Sequence, residues 1–207
     1  VLILAAAAAV SVLSGCGTTA PSVQRSATPT VGTGPSTSAA ASVPDLRISS
    51  AALRPAPPVI PPTRVIVPGH DVDVPVIPVG LLPTGAMQLP DDPAIAGWYR
   101  YGPDARATSG SIVIAAHVDS MRYGLGPFVR IRDLPNGAPI RITDAEGKTT
   151  VYHVDRVQRT LKHALPTTSL FDRSGPRRLV LVTCGGTFDT VSRTYSDNVL
   201  VHAKAAR

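Results

Sequence analysis

The sequence predicts an all-β domain, a closed or nearly closed β-barrel with one or two short helices. From Arg64 onward, short runs of Val and Ile alternate with Pro, Gly, Asn and Asp, which is the pattern of short strands bounded by turns. Aromatic residues make up only 4% of the chain, so the core must be built mostly from aliphatic side chains. Many short strands with little helix are typical of barrels.

The composition limits the classes of partner. The chain has 207 residues, with 20 Lys and Arg against 14 Asp and Glu, so it accommodates one modest domain with tails. Its basic side chains are scattered, and no nucleic-acid recognition motif accompanies them, so we expect no nucleic-acid partner. A formal charge of +6 suits an anionic cell envelope.

The N-terminal stretch predicts export. Residues 1–16, "VLILAAAAAVSVLSGC", form an apolar run that is shorter than the ~20 residues of a spanning helix but suits an export signal. Its Leu-Ser-Gly-Cys ending resembles a bacterial lipobox, which predicts lipidation of Cys16 and a lipoprotein on the outer face of the cytoplasmic membrane. The alternative is an uncleaved apolar anchor. Either way, the rest of the chain lies outside the cytoplasm.

The remainder divides into a tether and a folded domain. Residues 17–63 are rich in Ser, Thr, Ala and Pro and contain few large apolar side chains, which predicts a disordered tether. Residues 64–207 contain the strand-like segments and are predicted to form the folded domain.

Each segment of the domain predicts a particular element. The segments that read as one strand or a pair of strands are "RVIVPG", "VDVPVIPVG", "SGSIVIAAHVDS", "APIRITDAEGKTTVYHVDRVQRT", "RRLVLVTCGG" and "DNVLVHAKA". Within the fourth, "RITDAEGKTTVYHV" predicts a hairpin around an Asp-Ala-Glu-Gly turn. "DDPAIAGWYRYG" predicts a short helix, with Asp91 or Asp92 as N-cap and Pro93 in its first turn. A second helical turn is predicted around "LPTTSLFD".

Cys184 is the candidate nucleophile. If Cys16 is lipidated, Cys184 has no partner for a disulfide in an exported protein. It could be a small buried hydrophobic residue. However, "RRLVLVTCGGTFD" places it at the end of a strand, and Gly185 and Gly186 would allow the backbone of a ligand to approach. This setting favours a reactive thiol.

A cysteine nucleophile needs a base, and the chain offers five histidines. His117 is favoured because "SIVIAAHVDS" ends an apolar strand in the same way as the segment before the thiol. The others lie in alternating strands or in turns and loops: His70, His153, His163 and His202. No Cys and His residues have the spacing of metal ligands, so neither a metal nor another cofactor is predicted.

Taken together, "SIVIAAHVDS", "LVLVTCGGTFD" and "YSDNVLVHA" resemble the sortases, in particular the class F sortases of actinobacteria. The resemblance covers about Ile66 to Ala203 and implies an eight-stranded barrel. It also implies that Cys184 attacks the Thr-Gly carbonyl of an LPXTG-like sorting signal to form a thioacyl enzyme. An amine, for example on the peptidoglycan precursor, then accepts the acyl group, and His117 pairs with the thiolate and protonates the leaving amine.

The resemblance also implies an arginine that hydrogen-bonds the substrate and the oxyanion, a contact worth roughly 3 kcal/mol. Arg193 is the only arginine between Cys184 and the last strand, although some relatives have Arg where this chain has Ser196. Arg122 and Arg130 are the alternative donors.

Other residues are assigned to the surroundings of the thiol. Asp119 either orients the imidazole or caps its turn, and the expected walls of the substrate groove are Thr183, Gly185 and the loop from Tyr123 to Phe128. Two other functions remain open. One is an L,D-transpeptidase-like cell-wall enzyme, whose Ser-x-Gly-Cys-x-Arg signature the chain lacks. The other is a non-catalytic envelope lipoprotein that uses the barrel as a binding module.

Overall fold

The computed structural model describes residues 58–206. These residues form ten strands: β1 Pro62–Val67, β2 Val72–Val79, β3 Ala96–Tyr99, β4 Ser111–Ala115, β5 Asp119–Ser120, β6 Gly124–Leu125, β7 Pro139–Asp144, β8 Thr149–Leu161, β9 Arg178–Asp189 and β10 Thr194–Ala205. Eight of them close a barrel in the order β1-β2-β3-β4-β9-β10-β8-β7, and β5 and β6 form a separate two-stranded ribbon. The prediction of a closed eight-stranded barrel is therefore confirmed.

The strand directions place two strand ends side by side. Neighbouring barrel strands run antiparallel, except for the parallel pairs β2–β3 and β4–β9. In the β4–β9 pair, Ser111 lies opposite Arg178 and Ala115 lies opposite Val182. Because the two strands run in the same direction, the residues that follow both of them emerge at the same end of the barrel.

The interior of the barrel is filled mainly by aliphatic side chains from alternate positions of the strands. Inward residues of neighbouring strands, such as Val65, Val74, Ile142 and Leu181, are fully or almost fully buried. Three aromatic side chains complete this core, and all are at most 1% exposed: Trp98, Phe128 and Tyr152. A second cluster lies on the outer face, where Val113, Val180 and Leu200 pack against Leu170. This is why β4 and β9 are apolar on both faces, since each is covered on both sides.

Helical structure is limited to short segments within residues 58–206: the 3₁₀ helices Pro127–Asp133 and Lys162–Ala164 and the α-helix Thr167–Leu170. The last of these confirms the helical turn predicted around "LPTTSLFD". The predicted hairpin is also confirmed, as β7 and β8 pair antiparallel around the turn after Asp144. The carboxylate of Asp144 accepts hydrogen bonds from the backbone N–H groups of Glu146 (3.0 Å) and Lys148 (2.9 Å).

The helix predicted over "DDPAIAGWYRYG" is wrong. The Asp92 carboxylate does accept a hydrogen bond from the Ala94 N–H at 2.8 Å, and the Ile95 N–H donates to the Asp92 carbonyl at 3.0 Å. These bonds close a turn, after which the chain extends as β3. An Asp followed by Pro suits a tight turn as well as a helix start. The burial of Trp98 in the barrel favours the strand.

Part of the predicted organisation lies outside the described residues. The export signal, Cys16 and residues 17–57 of the tether are among them, while β1 begins at Pro62, two residues before the expected domain boundary. No helix within residues 58–206 is long and apolar enough to cross a membrane.

Candidate active site

The ends of β4 and β9 are joined by two hydrogen bonds. The Ala116 N–H donates to the Val182 carbonyl at 3.1 Å. One residue further on, the Thr183 hydroxyl donates to the Ala116 carbonyl at 2.9 Å, and the Thr183 side chain is only 3% exposed. His117 and Cys184 are the next residues on the two segments. The fold therefore delivers an imidazole and a thiol at the same level of the barrel.

Both residues line a cavity of about 200 Å³ at this end of the barrel. The thiol and the imidazole are half-buried, whereas Arg193 is exposed. The lining brings together the three predicted catalytic residues and three further titratable side chains: Cys184, His117, Arg193, Asp119, Lys162 and Tyr195. The cavity therefore brings a thiol and an imidazole together with several hydrogen-bond donors.

The surroundings act on the thiol in opposite directions. Burial raises the pKa of Cys184 above its ordinary value, the positive charge of Lys162 lowers it, and the negative charge of Asp119 raises it further. The resting residue is therefore mostly a protonated thiol at neutral pH. Because only the thiolate attacks well, a thiol in this setting needs a group that accepts its proton before it can act as a nucleophile. The imidazole of His117 lines the same cavity.

Asp119 is bound from the opposite side of the cavity. The Tyr195 hydroxyl, on β10, donates a hydrogen bond of 2.5 Å to the Asp119 carboxylate. This bond is the main cause that raises the pKa of Tyr195 to about 12. Within residues 58–206, no hydrogen bond joins Asp119 to His117. The observed partner of the carboxylate is thus a tyrosine that the sequence analysis did not select.

Arg193 lies at the tip of the β9–β10 hairpin. The turn is closed by the Asp189 carboxylate, which accepts hydrogen bonds from the Val191 N–H (2.9 Å) and the Ser192 hydroxyl (2.7 Å). Arg193 itself adopts a left-handed backbone conformation, with φ of 53°. This conformation is uncommon for a residue other than glycine. Its guanidinium contacts the Met121 sulfur, across from the hairpin.

Neither of the alternative arginines lines the cavity that contains the thiol. Arg122 lines an adjoining cavity of about 400 Å³, which shares His117 and Arg193 with the first. Its guanidinium lies over the Tyr123 ring, 5.1 Å from the centroid. Arg130 lines neither cavity, and its nearest acidic partner is Asp71 at 4.0 Å. Of the three arginines, Arg193 alone lines both cavities.

The packing and backbone geometry of the β9–β10 hairpin require the two glycines after the thiol. A Cβ at Gly185 would lie 2.7 Å from a methyl group of Val199 on β10, and Gly186 has a φ of 76°. The Ser196 hydroxyl accepts a hydrogen bond from the Thr187 N–H at 3.0 Å. Close packing of the β9–β10 hairpin therefore accounts for this glycine pair.

Lys162 is a site residue that the sequence analysis missed. It begins the 3₁₀ helix after β8, its side chain is exposed, and its ammonium donates a hydrogen bond of 2.5 Å to the Thr194 hydroxyl. A lysine in a loop has no periodic signal, and only the pairing of β8 with β10 brings it to the thiol. In the loop from Tyr123 to Phe128, Tyr123 lines the larger cavity, whereas Phe128 is fully buried in the core.

His117 is the one histidine of residues 58–206 that lines the cavity with Cys184. The His153 ring on β8 contacts the Gly137 carbonyl at 3.1 Å, and the His202 ring on β10 contacts the Gln158 side chain at 3.2 Å. Within residues 58–206, no group of three or more His, Cys, Asp or Glu side chains is arranged to bind a metal ion.

Comparison with known proteins gives one family. The family profile described as "Sortase domain" matches residues 65–206. Among solved structures, a lid mutant of sortase A from Corynebacterium diphtheriae superposes with a TM-score of 0.54 and 24% identity, covering 72% of this chain and 71% of that one. The Pilus Island 1 sortase C2 of Group B Streptococcus superposes with a TM-score of 0.53 and 19% identity, covering 70% and 73%. At these identities the structural likeness shows the fold. No curated protein sequence matches the chain.

Proposed function

Because the chain belongs to the sortase family, whose domain profile spans residues 65–206, we propose that it is a cysteine transpeptidase acting on sorting signals of the LPXTG type. The observation that supports this most directly is the single cavity lined by Cys184, His117 and Arg193. His117 lies far from Cys184 in the sequence, whereas Arg193 follows Cys184 within the β9–β10 hairpin. They meet only because β4 and β9 are parallel neighbours and the β9–β10 hairpin folds back over their ends.

In the first half-reaction, His117 takes the proton of the Cys184 thiol, and the sulfur attacks the Thr-Gly carbonyl carbon of the sorting signal. A C–S bond forms, and the carbonyl oxygen becomes an oxyanion. Arg193 donates hydrogen bonds to this oxyanion or to the adjacent substrate carbonyls. The intermediate collapses with cleavage of the C–N bond, and the leaving amine takes a proton from the imidazolium of His117. A thioester on Cys184 remains.

In the second half-reaction, an acceptor amine attacks the thioester carbonyl and transfers its proton to His117. The C–N bond of the product forms, the C–S bond breaks, and the departing thiolate takes the proton from His117, which regenerates the thiol and the neutral imidazole. The acceptor proposed here is an amine of the peptidoglycan precursor. The protein that is transferred is a secreted protein with an LPXTG-like segment.

The remaining expectations are part of the same proposal. Class F membership rests on the motifs around His117 and Cys184 together with "YSDNV". A location at the outer face of the cytoplasmic membrane rests on residues 1–16, through lipidation of Cys16 or through an apolar anchor. The assignment of Thr183 and Gly185 to the walls of the substrate groove stays a prediction, since both residues are buried and neither lines the cavity that contains Cys184.

The test is an acylation experiment on the full chain. We expect an LPXTG peptide to add an acyl mass to Cys184 and, when triglycine is present, to yield the peptide–triglycine product by intact-mass spectrometry. Cys184→Ala and His117→Gln should abolish both signals. His153→Gln is the matched control, because this ring lies on β8, away from the cavity, and should leave both signals unchanged. A folded chain that forms neither adduct nor product with any sorting-type peptide would favour the non-catalytic binding module.

A further inference from the structure

A second cation lies beside the thiol, in addition to the arginine expected there. The titratable and charged side chains that line the cavity with Cys184 come from four separate segments: His117 after β4, Asp119 on β5, Lys162 after β8, and Arg193 and Tyr195 on the β9–β10 hairpin. Lys162 follows β8 and Arg193 lies in the β9–β10 hairpin, and β10 lies between β8 and β9 in the barrel.

The pairing of the strands explains how Lys162 reaches the cavity. Asn198 on β10 pairs with Cys184 on one side and with Thr160 on the other, so Thr160 and the thiol lie at the same level of the barrel. Two strand spacings separate them, about 10 Å. Lys162 lies just beyond Thr160, and its side chain turns inward to donate a hydrogen bond to the Thr194 hydroxyl.

The charged side chains around the thiol contact neutral partners. The Asp119 carboxylate accepts a hydrogen bond from the neutral Tyr195 hydroxyl, and the Arg193 guanidinium contacts the neutral sulfur of Met121. Lys162 is bonded to a neutral hydroxyl, and no salt bridge within residues 58–206 includes it. Its positive charge is therefore available to an anion that forms in the cavity.

We propose that Lys162 stabilises the thiolate of Cys184, so that the site uses a lysine from the β8 end of the barrel together with the hairpin arginine. This role rests on the proposed function, since it concerns the same nucleophile. It is consistent with the direction in which Lys162 shifts the pKa of the thiol, which is downward against the effect of burial. Because Lys162 is exposed, solvent and salt reduce its effect, and we expect a moderate contribution.

The test measures the thiol directly, without a peptide substrate. The rate of alkylation of Cys184 by iodoacetamide is followed by peptide mass analysis of the full chain from pH 5.5 to about pH 11.5, so that the scan passes the raised pKa of the thiol. In Lys162→Met, we expect the apparent pKa of Cys184 to rise by about 0.5–1 unit, so that alkylation at pH 7 slows roughly 3- to 10-fold. Above both pKa values the rates of wild type and variant should converge. At 1 M salt the difference at pH 7 should shrink.

Two further variants separate charge from structure. Lys162→Arg keeps a cation and should restore most of the alkylation rate at pH 7. Lys148→Met removes an exposed lysine from the β7–β8 turn, at the opposite end of the barrel, and should match the wild type at every pH. An unchanged profile for Lys162→Met, or a loss of equal size at all pH values, would overturn the proposal. Alkylation requires no sorting peptide, so a failure of the transpeptidase assignment would be seen separately, in the acylation experiment.

Discussion

Replacement of Thr183 by Val tests whether the bond between the ends of β4 and β9 positions the active site. The two side chains have nearly the same shape, so the change removes the hydroxyl and little else. That hydroxyl donates to the Ala116 carbonyl at 2.9 Å, between the residues that immediately precede Cys184 and His117. Thr183 is 3% exposed, so water cannot readily replace the lost bond. The substitution should therefore affect both stability and catalysis.

The size of the stability effect follows from the burial of this bond. A hydrogen bond contributes about 0.5–1.5 kcal/mol net, and a buried carbonyl left without its donor costs about 1–3 kcal/mol. We expect Thr183→Val to lower the free energy of unfolding by about 2 kcal/mol. For a domain of this size that loss corresponds to a decrease in Tm of roughly 4–8 °C. A displacement of the imidazole by about 1 Å can cost on the order of 100-fold in rate, so kcat/KM should fall roughly 10- to 100-fold.

The assay combines urea unfolding with turnover of a sorting peptide. Thr183→Ser keeps the hydroxyl and should retain most of the turnover, with a small loss of stability from the missing methyl group. Ser111→Ala is the matched control at the other end of β4. The Ser111 hydroxyl is buried and has no hydrogen-bond partner among the described residues. Its removal should leave stability unchanged or raise it by up to about 1 kcal/mol, with no effect on turnover.

The reasoning would be refuted if Thr183→Val unfolded at the same urea concentration as the wild type and turned over the peptide at the same rate. It would also fail if Thr183→Val and Ser111→Ala had equal effects, because the hydrogen bond is the feature that distinguishes the two buried hydroxyls.

Three other changes have defined outcomes. Arg193→Ala should lower kcat/KM roughly 100- to 1000-fold with an unchanged circular dichroism spectrum, and near-normal turnover would assign the oxyanion donor to another residue. Asp119→Asn removes a negative charge that raises the pKa of Cys184, so alkylation of the thiol at pH 7 should accelerate, and a slower reaction would contradict this sign. Burial lowers the pKa of His202 from 6.5 to about 4, so stability present above pH 6.5 should be lost as the pH falls towards 4. The urea midpoint of the wild type should fall between pH 7 and pH 4.5, and that of His202→Gln should fall less. An equal fall in both proteins would show that His202 is not the source of the pH dependence.

The barrel could be predicted because its strands have strong local patterns. Buried Val residues alternate with exposed residues along most of β2, β1 is rich in Val and Ile, and the Asp-Ala-Glu-Gly turn specifies the β7–β8 hairpin. The segment after Asp91 was assigned the wrong element because an Asp before Pro suits both a helix start and a turn. The choice depends on the burial of Trp98, which is 1% exposed. Tertiary packing of this kind leaves no signal in a short window of sequence.

Some residues of the candidate site can be predicted from the sequence, and others cannot. His117 and Cys184 each follow an apolar strand, so their strand ends could be recognised one at a time. Lys162 and Tyr195 lie in a loop and at the start of a strand, without a distinguishing pattern. Their proximity to the thiol depends on the register of β10 against β8 and β9, which pairs Asn198 with both Thr160 and Cys184.

The parallel pairing of β4 and β9 explains why the thiol and the imidazole meet although they are distant in the sequence. An antiparallel pair would place the residues after the two strands at opposite ends of the barrel. A parallel pair requires a long crossover, and here the crossover contains β5 and β8, which bring Asp119 and Lys162 to the same end as Cys184. A slip of one residue between β4 and β9 would turn every side chain to the other face of the sheet. The hydrogen bond from Thr183 to Ala116 lies just after the last residue of β4, where it opposes such a slip. We therefore expect stability and catalysis to change together in variants of Thr183, and catalysis to be unaffected in variants of Ser111.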